Sequence, residues 1–379
     1  MNIDFKSASA SGSHILSGSS LRNLWNLLAD NVFRIERQYL PKLMQCALFA
    51  ALNIPFALAE SLLYNRRLKK TPIQPPVFIL GYPRSGTTYL FYMLSKDPRL
   101  AFCKTYECMG PNVMFTFGWA LRRIGRRALP KKRHMDNLPL GADLPKEEEF
   151  ALCNMGIESM ANGCYFPKRF SEYFDRFVLF NGPEREKRNW IKNYTWLLKK
   201  LTLKNRGKRL LLKSPFNTGR VKVLTEMFPE ARFIHIHRHP YAVYSSNARL
   251  YEGILPKLTF HEIANHVFYT YKATLEQFFK EKSAIPKANL VEIAYEEFFD
   301  NQIDTLRRIY AQLELGDFET VRPIFEKEMR QYDDYQTNTY RLTPEKEAEV
   351  YDKWRFAFEV FGYDRAHHKR ISRPATTTP

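Results

Sequence analysis

Val77–Leu80 is a short, continuous apolar run rich in β-formers, the pattern of a strand buried on both faces. Gly81, Pro83 and Gly86 then break the chain into a loop, and the dense apolar stretch Thr87–Leu94 predicts a helix that enters the core. Far downstream the pattern recurs. Residues 209–212 predict a strand, 213–217 a loop, 220–228 a helix and 231–237 another strand, a β-loop-α-β order whose short connections suit a parallel sheet. Arg238, His239 and Pro240 close that strand, and residues 241–250 begin a helix carrying Ser245, Ser246 and Asn247. One further strand is predicted at Leu290–Ala294. The pattern as a whole is α/β, a central, mainly parallel sheet with flanking helices.

The remaining periodicity is largely helical. Residues 21–39 alternate apolar and basic positions at helical spacing, and residues 43–63 are apolar around most of a helix, interrupted by Gln45, Asn53, Pro55 and Glu60. A membrane span, an interfacial helix and a helix packed within the fold all fit that stretch. The basic run Arg66, Arg67, Lys69 and Lys70 follows it. Residues 98–108 continue the strand pattern, and residues 114–121 are aromatic and apolar. Seven Lys/Arg then fall between 122 and 133, either an amphipathic hairpin or a helix with a solvated face. Pro145 is predicted in the first turn of a helix that also holds Glu147, Glu148 and Glu149. Further helices are predicted over residues 166–204 (as a pair), 260–279, 318–331 and 344–361, with a polar loop at 332–341. Three parts are expected: a helical N-terminal extension at 1–70, one catalytic domain at 71–365 and a disordered tail at 366–379.

Charge narrows the partners. A net charge of +18 calls for an anionic partner or surface, with nucleic acid, acidic lipid, acidic glycan and a multiply phosphorylated nucleotide as candidates. Five cysteines without a C-x-x-C pair suit buried free thiols and a cytoplasmic setting, although Cys103 and Cys108 are close enough in sequence to bridge. No His/Cys cluster has metal spacing, and the first twenty residues lack the basic and apolar parts of a signal peptide.

Residues 81–88 spell G-x-x-x-x-G-T-T, the frame of a nucleotide-binding P-loop with threonine in place of lysine. A P-loop NTPase sets that lysine on the β- and γ-phosphates, so its loss argues against ATP or GTP hydrolysis. The cation is instead Arg84, whose planar fork suits an oxyanion. Strand, loop and helix start still form an anion site. Arg238 at a strand end and Ser246 on the helix after it form a second candidate phosphate clamp at the sheet's carboxyl edge.

These residues resemble the sulfotransferases that use 3′-phosphoadenosine 5′-phosphosulfate (PAPS). The likeness lies in P-R-S-G-T-T, L-K-S-P-F-N and R-H-P-Y-A-V-Y-S-S, in that order, and more loosely in V-E-I-A-Y-E-E-F-F at 291–299. The resemblance implies that Arg84 and Lys213 hold the sulfuryl and bridging oxygens, and that Ser85, Gly86, Thr87 and Thr88 hold the 5′-phosphate. Arg238 and Ser246 then take the 3′-phosphate, Tyr295 closes the adenine side, and no metal is needed. It also implies a glutamate base for the acceptor hydroxyl, Glu149 first and Glu147 second, since residues 147 and 149 point about 200° apart on a helix. His134 is an alternative base. The acceptor is a hydroxyl on a sugar, lipid or other small molecule, anionic or lipidic, with peripheral membrane contact in prospect and no nucleic-acid partner.

Plainer readings stand beside these. Lys213 is also a solvated strand-end charge, Ser246 a helix-surface serine, Tyr295 a core filler, and His235 and His237 satisfied core histidines. A P-loop kinase and a non-catalytic membrane- or polyanion-binding protein are the alternatives as whole functions.

Overall fold

The computed structural model describes residues 15–133, 138–255, 258–332 and 342–365. His134, the greater part of the 332–341 loop and the 366–379 tail lie outside the described residues. Among the described residues five strands form: β1 (Val77–Leu80), β2 (Leu100–Ala101), β3 (Arg209–Lys213), β4 (Arg232–His237) and β5 (Leu290–Ala294). β2 pairs with β3, β1 with β4 and β4 with β5, each in parallel. The α/β class with parallel strands, flanking helices and helices ahead of the first strand is therefore as predicted.

The chain divides into two compact units. The first holds residues up to 76 and Pro98–Ser214. Its β2 and β3 pair in register from Leu100 opposite Arg209. The long helix Glu184–Lys204 buries Trp190, Tyr194, Leu197, Leu198 and Leu201, the periodic stripe seen in the sequence. Lys200 on that helix reaches Glu60 on the helix Ile54–Lys70 at 2.6 Å, with both groups buried. Glu60 also accepts from the amides of Phe115 and Thr116 at 2.7 and 3.2 Å.

Three local expectations change here. The apolar stretch 43–63 is two helices, Leu40–Leu52 and Ile54–Lys70, bent by 42° at Asn53, because Pro55 lacks the amide that would continue the first and sits at the start of the second. Residues 98–108 supply only the two-residue β2 and then the helix Thr105–Met109. Pro145 does not start a helix. It forms an antiparallel bridge with Lys104, because the Thr105 amide donates to Leu144 O and the Lys146 amide to Cys103 O. Helix geometry begins at Glu149.

The second unit holds Val77–Asp97 and residues from 215 onward. Its strands lie in the order β1, β4, β5, with Val77 opposite Arg232 and Phe233 opposite Leu290. All four residues of β1 are buried. The helix Thr87–Leu94 leaves the loop after β1, and the helix Pro240–Ile254 leaves the loop after β4. An aromatic core of Tyr244, Phe268, Tyr271 and Trp354 joins that second helix to Phe260–Glu281 and Pro344–Phe361, with the Tyr271 and Trp354 rings stacked at 3.8 Å.

Candidate functional site

In the second unit two loops converge at the carboxyl ends of β1 and β4. The loop after β1 turns through two left-handed residues, Arg84 at φ 71° and Gly86 at φ 95°. Gly86 caps the helix Thr87–Leu94, and the Tyr295 ring lies so close to its α-carbon that a β-carbon would sit 2.3 Å from the ring. Glycine is needed there for both reasons. The Gly81 amide donates to Thr218 Oγ1 at 2.8 Å, and Asn247 Nδ2 to Pro83 O at 2.8 Å, so the loop is held at its start and at its middle.

Arg84 Nε donates to Ser246 Oγ at 2.8 Å. Arg238 Nη1 donates to Arg84 O at 3.4 Å, and its guanidinium lies 4.3 Å from the Tyr295 ring centre. Arg238 Nε is buried with no hydrogen-bond partner among the described residues. A buried cationic donor left over in this way is unfavourable unless a ligand accepts from it. Burial raises the Tyr295 phenol above its ordinary pKa against the opposing pull of Arg238. Of the donor-side residues singled out from sequence, Arg84, Gly86, Arg238, Ser246 and Tyr295 come together. Thr87 and Thr88 open the helix, whose first-turn amides have no intrahelical acceptor. The Ser85 amide is spent on Tyr82 O at 3.2 Å and does not join them. The histidines nearby are packing groups. His235 is fully buried and stacks on Phe278 at 4.1 Å, His237 stacks on Phe361 at 4.1 Å, and the His239 amide donates to Glu296.

In the first unit Lys213 ends β3 and is 1% exposed. Its ammonium donates to the Glu147 carboxylate, and its amide donates to Glu148 Oε2 at 3.1 Å. Burial lowers the Lys213 pKa, with Glu147 opposing. Burial would raise Glu147, but the charge and hydrogen bond of Lys213, followed by Lys146 and Arg133, outweigh it and hold the carboxyl below its ordinary value. Glu147 is therefore ionised at neutral pH and sits beside a cation.

Glu149, favoured from sequence, points elsewhere. It is buried and accepts from Ser159 Oγ at 2.8 Å and the Met160 amide at 2.9 Å, which hold the following turn. Of the two candidates, Glu147 is the one that lies against Lys213. Sequence reasoning missed Glu148, which accepts from Tyr194 at 3.0 Å and from the Lys213 amide and so positions the strand end. Only its place in a run of three glutamates, each turned about 100° from the last on a helix, hinted at a separate task. The Cys103 and Cys108 sulfurs face each other at 3.3 Å as free thiols.

Residues 75–319 match the sulfotransferase family. Over 345 residues, 89% of this chain and 88% of the relative, the sequence is 31% identical to the omega-hydroxy-beta-dihydromenaquinone-9 sulfotransferase Stf3 of Mycobacterium bovis, with the same figures for Stf3 of Mycobacterium tuberculosis. Among solved structures, sulfotransferase STF1 of Mycobacterium tuberculosis H37Rv shares the fold at a TM-score of 0.64 and 17% identity, covering 93% of this chain and 98% of that one. Sulfotransferase STF9 of Mycobacterium avium does so at 0.63 and 21%, covering 81% and 82%.

Proposed function

The chain belongs to the sulfotransferase family and is a sulfotransferase, and we propose that it moves the sulfuryl group of PAPS to the hydroxyl of a lipid. The acceptor oxygen forms a bond to sulfur as the bridging bond from sulfur to the 5′-phosphate oxygen breaks. The hydroxyl proton goes to Glu147, leaving a sulfate ester and 3′,5′-adenosine bisphosphate. Such a transfer is loose and in line, so placement and charge neutralisation at the leaving phosphate supply the rate. Arg84 and Lys213 are the cations for that task, in the role magnesium has in an NTPase, and the reading includes no metal. The first-turn amides with Thr87 and Thr88 hold the 5′-phosphate, and Arg238 and Ser246 hold the 3′-phosphate. Family membership decides against the kinase alternative.

The observation that carries the donor is the Arg238 guanidinium, seated over Tyr295 beside Arg84 with its Nε unsatisfied. The lipid acceptor is supported by the named activity of the Stf3 relatives on a hydroxylated menaquinone. The same reading has the enzyme working in the reducing cytoplasm beside a membrane, which five free thiols support. Thermal-shift titration decides the donor: 3′,5′-adenosine bisphosphate raises the melting temperature at micromolar concentration and magnesium-ATP does not. Stabilisation by magnesium-ATP alone defeats the reading. Incubation with PAPS and a hydroxylated isoprenoid quinone, read by mass spectrometry for one added sulfate, tests the acceptor class.

A further inference from the structure

The first unit carries an apolar surface that the transfer chemistry does not use. On the helix Leu40–Leu52, Leu40, Met44, Leu48 and Leu52 recur every four residues and all are exposed, Met44 at 71%. On the helix Ile54–Lys70 the same spacing places Ile54, Leu58 and Leu62 outward, Leu62 at 85%, with Leu63 beside it. Residues three and four apart share a helix face, so each helix presents one unbroken apolar stripe to solvent. Phe56 packs at a tilt against Phe117, ring centres 4.6 Å apart, and Phe117 meets Trp119 at 6.3 Å, which extends the surface to a tryptophan 69% exposed. Exposed apolar side chains clustered in this way, with polar groups at their rim, mark surfaces that meet a partner or a membrane.

Basic groups flank this surface. Arg66, Arg67, Lys69 and Lys70 end the second helix, all exposed. Arg123 and Arg127 follow Trp119 at steps of four on Gly118–Ala128, also exposed. Arg67 and Lys70 line an open depression together with Thr71 and Arg206. We propose that the two helices and Trp119 seat the protein in the plane of an anionic phospholipid bilayer, apolar stripes in the acyl boundary and flanking cations on the headgroups. An apolar face with tryptophan at one end and cations at its margins is the distribution of an interfacial helix, and it matches a negatively charged lipid surface better than another protein.

The helices lie on the membrane and do not cross it. No single helix among the described residues is long and apolar enough to span; the two are about 20 and 26 Å long against about 30 Å of hydrocarbon, and they are bent by 42°. The inner face is committed to the protein, with Glu60 paired to Lys200 and Leu68 fully buried. The seating rests on the lipid-acceptor reading for its purpose only, because binding is measured without turnover.

Flotation of the full-length protein with vesicles tests it. Wild type floats with phosphatidylcholine vesicles containing about a third phosphatidylglycerol, and much less with phosphatidylcholine alone. Leu48→Glu/Leu58→Glu/Leu62→Glu lowers binding at least tenfold, and Arg123→Glu/Arg127→Glu lowers it on anionic vesicles only. Both variants keep the wild-type melting temperature and its shift with 3′,5′-adenosine bisphosphate. A lost nucleotide shift in wild type sinks the donor reading and leaves this one standing. The seating is overturned by wild type that floats with neither vesicle, by an apolar triple variant that still floats, by a protease-protected, carbonate-resistant segment, or by a dimer that the triple variant abolishes in a protein that never binds vesicles.

Discussion

Glu147 and Glu149 stand two residues apart and face different partners, one a lysine ammonium and the other a serine hydroxyl and an amide. Glu147→Gln is expected to lower turnover about 10²–10⁴-fold and leave bisphosphate affinity intact, since the proposed transfer sends the acceptor proton to this carboxylate and asks no donor contact of it. Glu149→Ala strands two buried donors and costs about 1–3 kcal/mol of stability, with turnover of the folded fraction near wild type. Denaturation beside single-turnover kinetics separates the two; the reverse pattern returns the base to Glu149. Arg84→Ala and Lys213→Ala are each expected to lower turnover about 10²–10³-fold by removing charge stabilisation at the leaving phosphate. Residue-scale burial also sets a pH response. Burial first, and His235 second, hold the His237 imidazole down to about 3, against about 6.5 in an unfolded chain. Below pH 6.5 the unfolded chain binds a proton that the folded one excludes, so stability is full above that pH and is lost as pH falls toward 3. Melting temperature against pH should show this decline, and His237→Gln should make it shallower. An unchanged slope assigns the response to other groups.

At the scale of elements, the buried Lys200–Glu60 pair joins the helix Ile54–Lys70 to Glu184–Lys204. Lys200→Met leaves Glu60 buried without its cation and should destabilise by about 3–5 kcal/mol, read by chemical denaturation. A loss below about 1 kcal/mol means that the amides of Phe115 and Thr116 suffice. Gly86→Ala meets a left-handed φ and a tyrosine ring together, so it should disturb the Tyr295 and Arg238 seat and weaken bisphosphate binding at least tenfold. Unchanged affinity would detach that seat from the donor. The loop after β1 was legible because its signals are local, an apolar run followed by glycines, and the strand ending at Arg238 was legible for the same reason. The break at Asn53 was visible only as an interruption, since apolar residues continue on both sides of Pro55. Pro145 misled, because the backbone bonds that hold it extended come from residues 103–105, and helix-start preferences carry no sign of them. The division of labour among Glu147, Glu148 and Glu149 is set by partners at 213, 194 and 159, which three identical side chains cannot announce.

At the scale of the whole molecule, five thiols sit in a chain of +18 charge, and four of them are buried. Burial pushes the Cys46 and Cys153 thiols above their ordinary value and Cys164 up to about 12, while the hydrogen bond with Cys108, then burial, raise Cys103. The native protein should therefore give Ellman's reagent fewer than one equivalent in the first minutes and five in denaturant. Two or more fast equivalents would mean the thiols are open to solvent. The way the chain is threaded has a consequence for its birth on the ribosome. Residues 77–97 belong to the second unit yet are made before most of the first, and β1 meets its partner β4 about 150 residues later. Synthesis at common speeds leaves that greasy strand waiting roughly ten to thirty seconds, an interval in which its bare edges are open to wrong pairing.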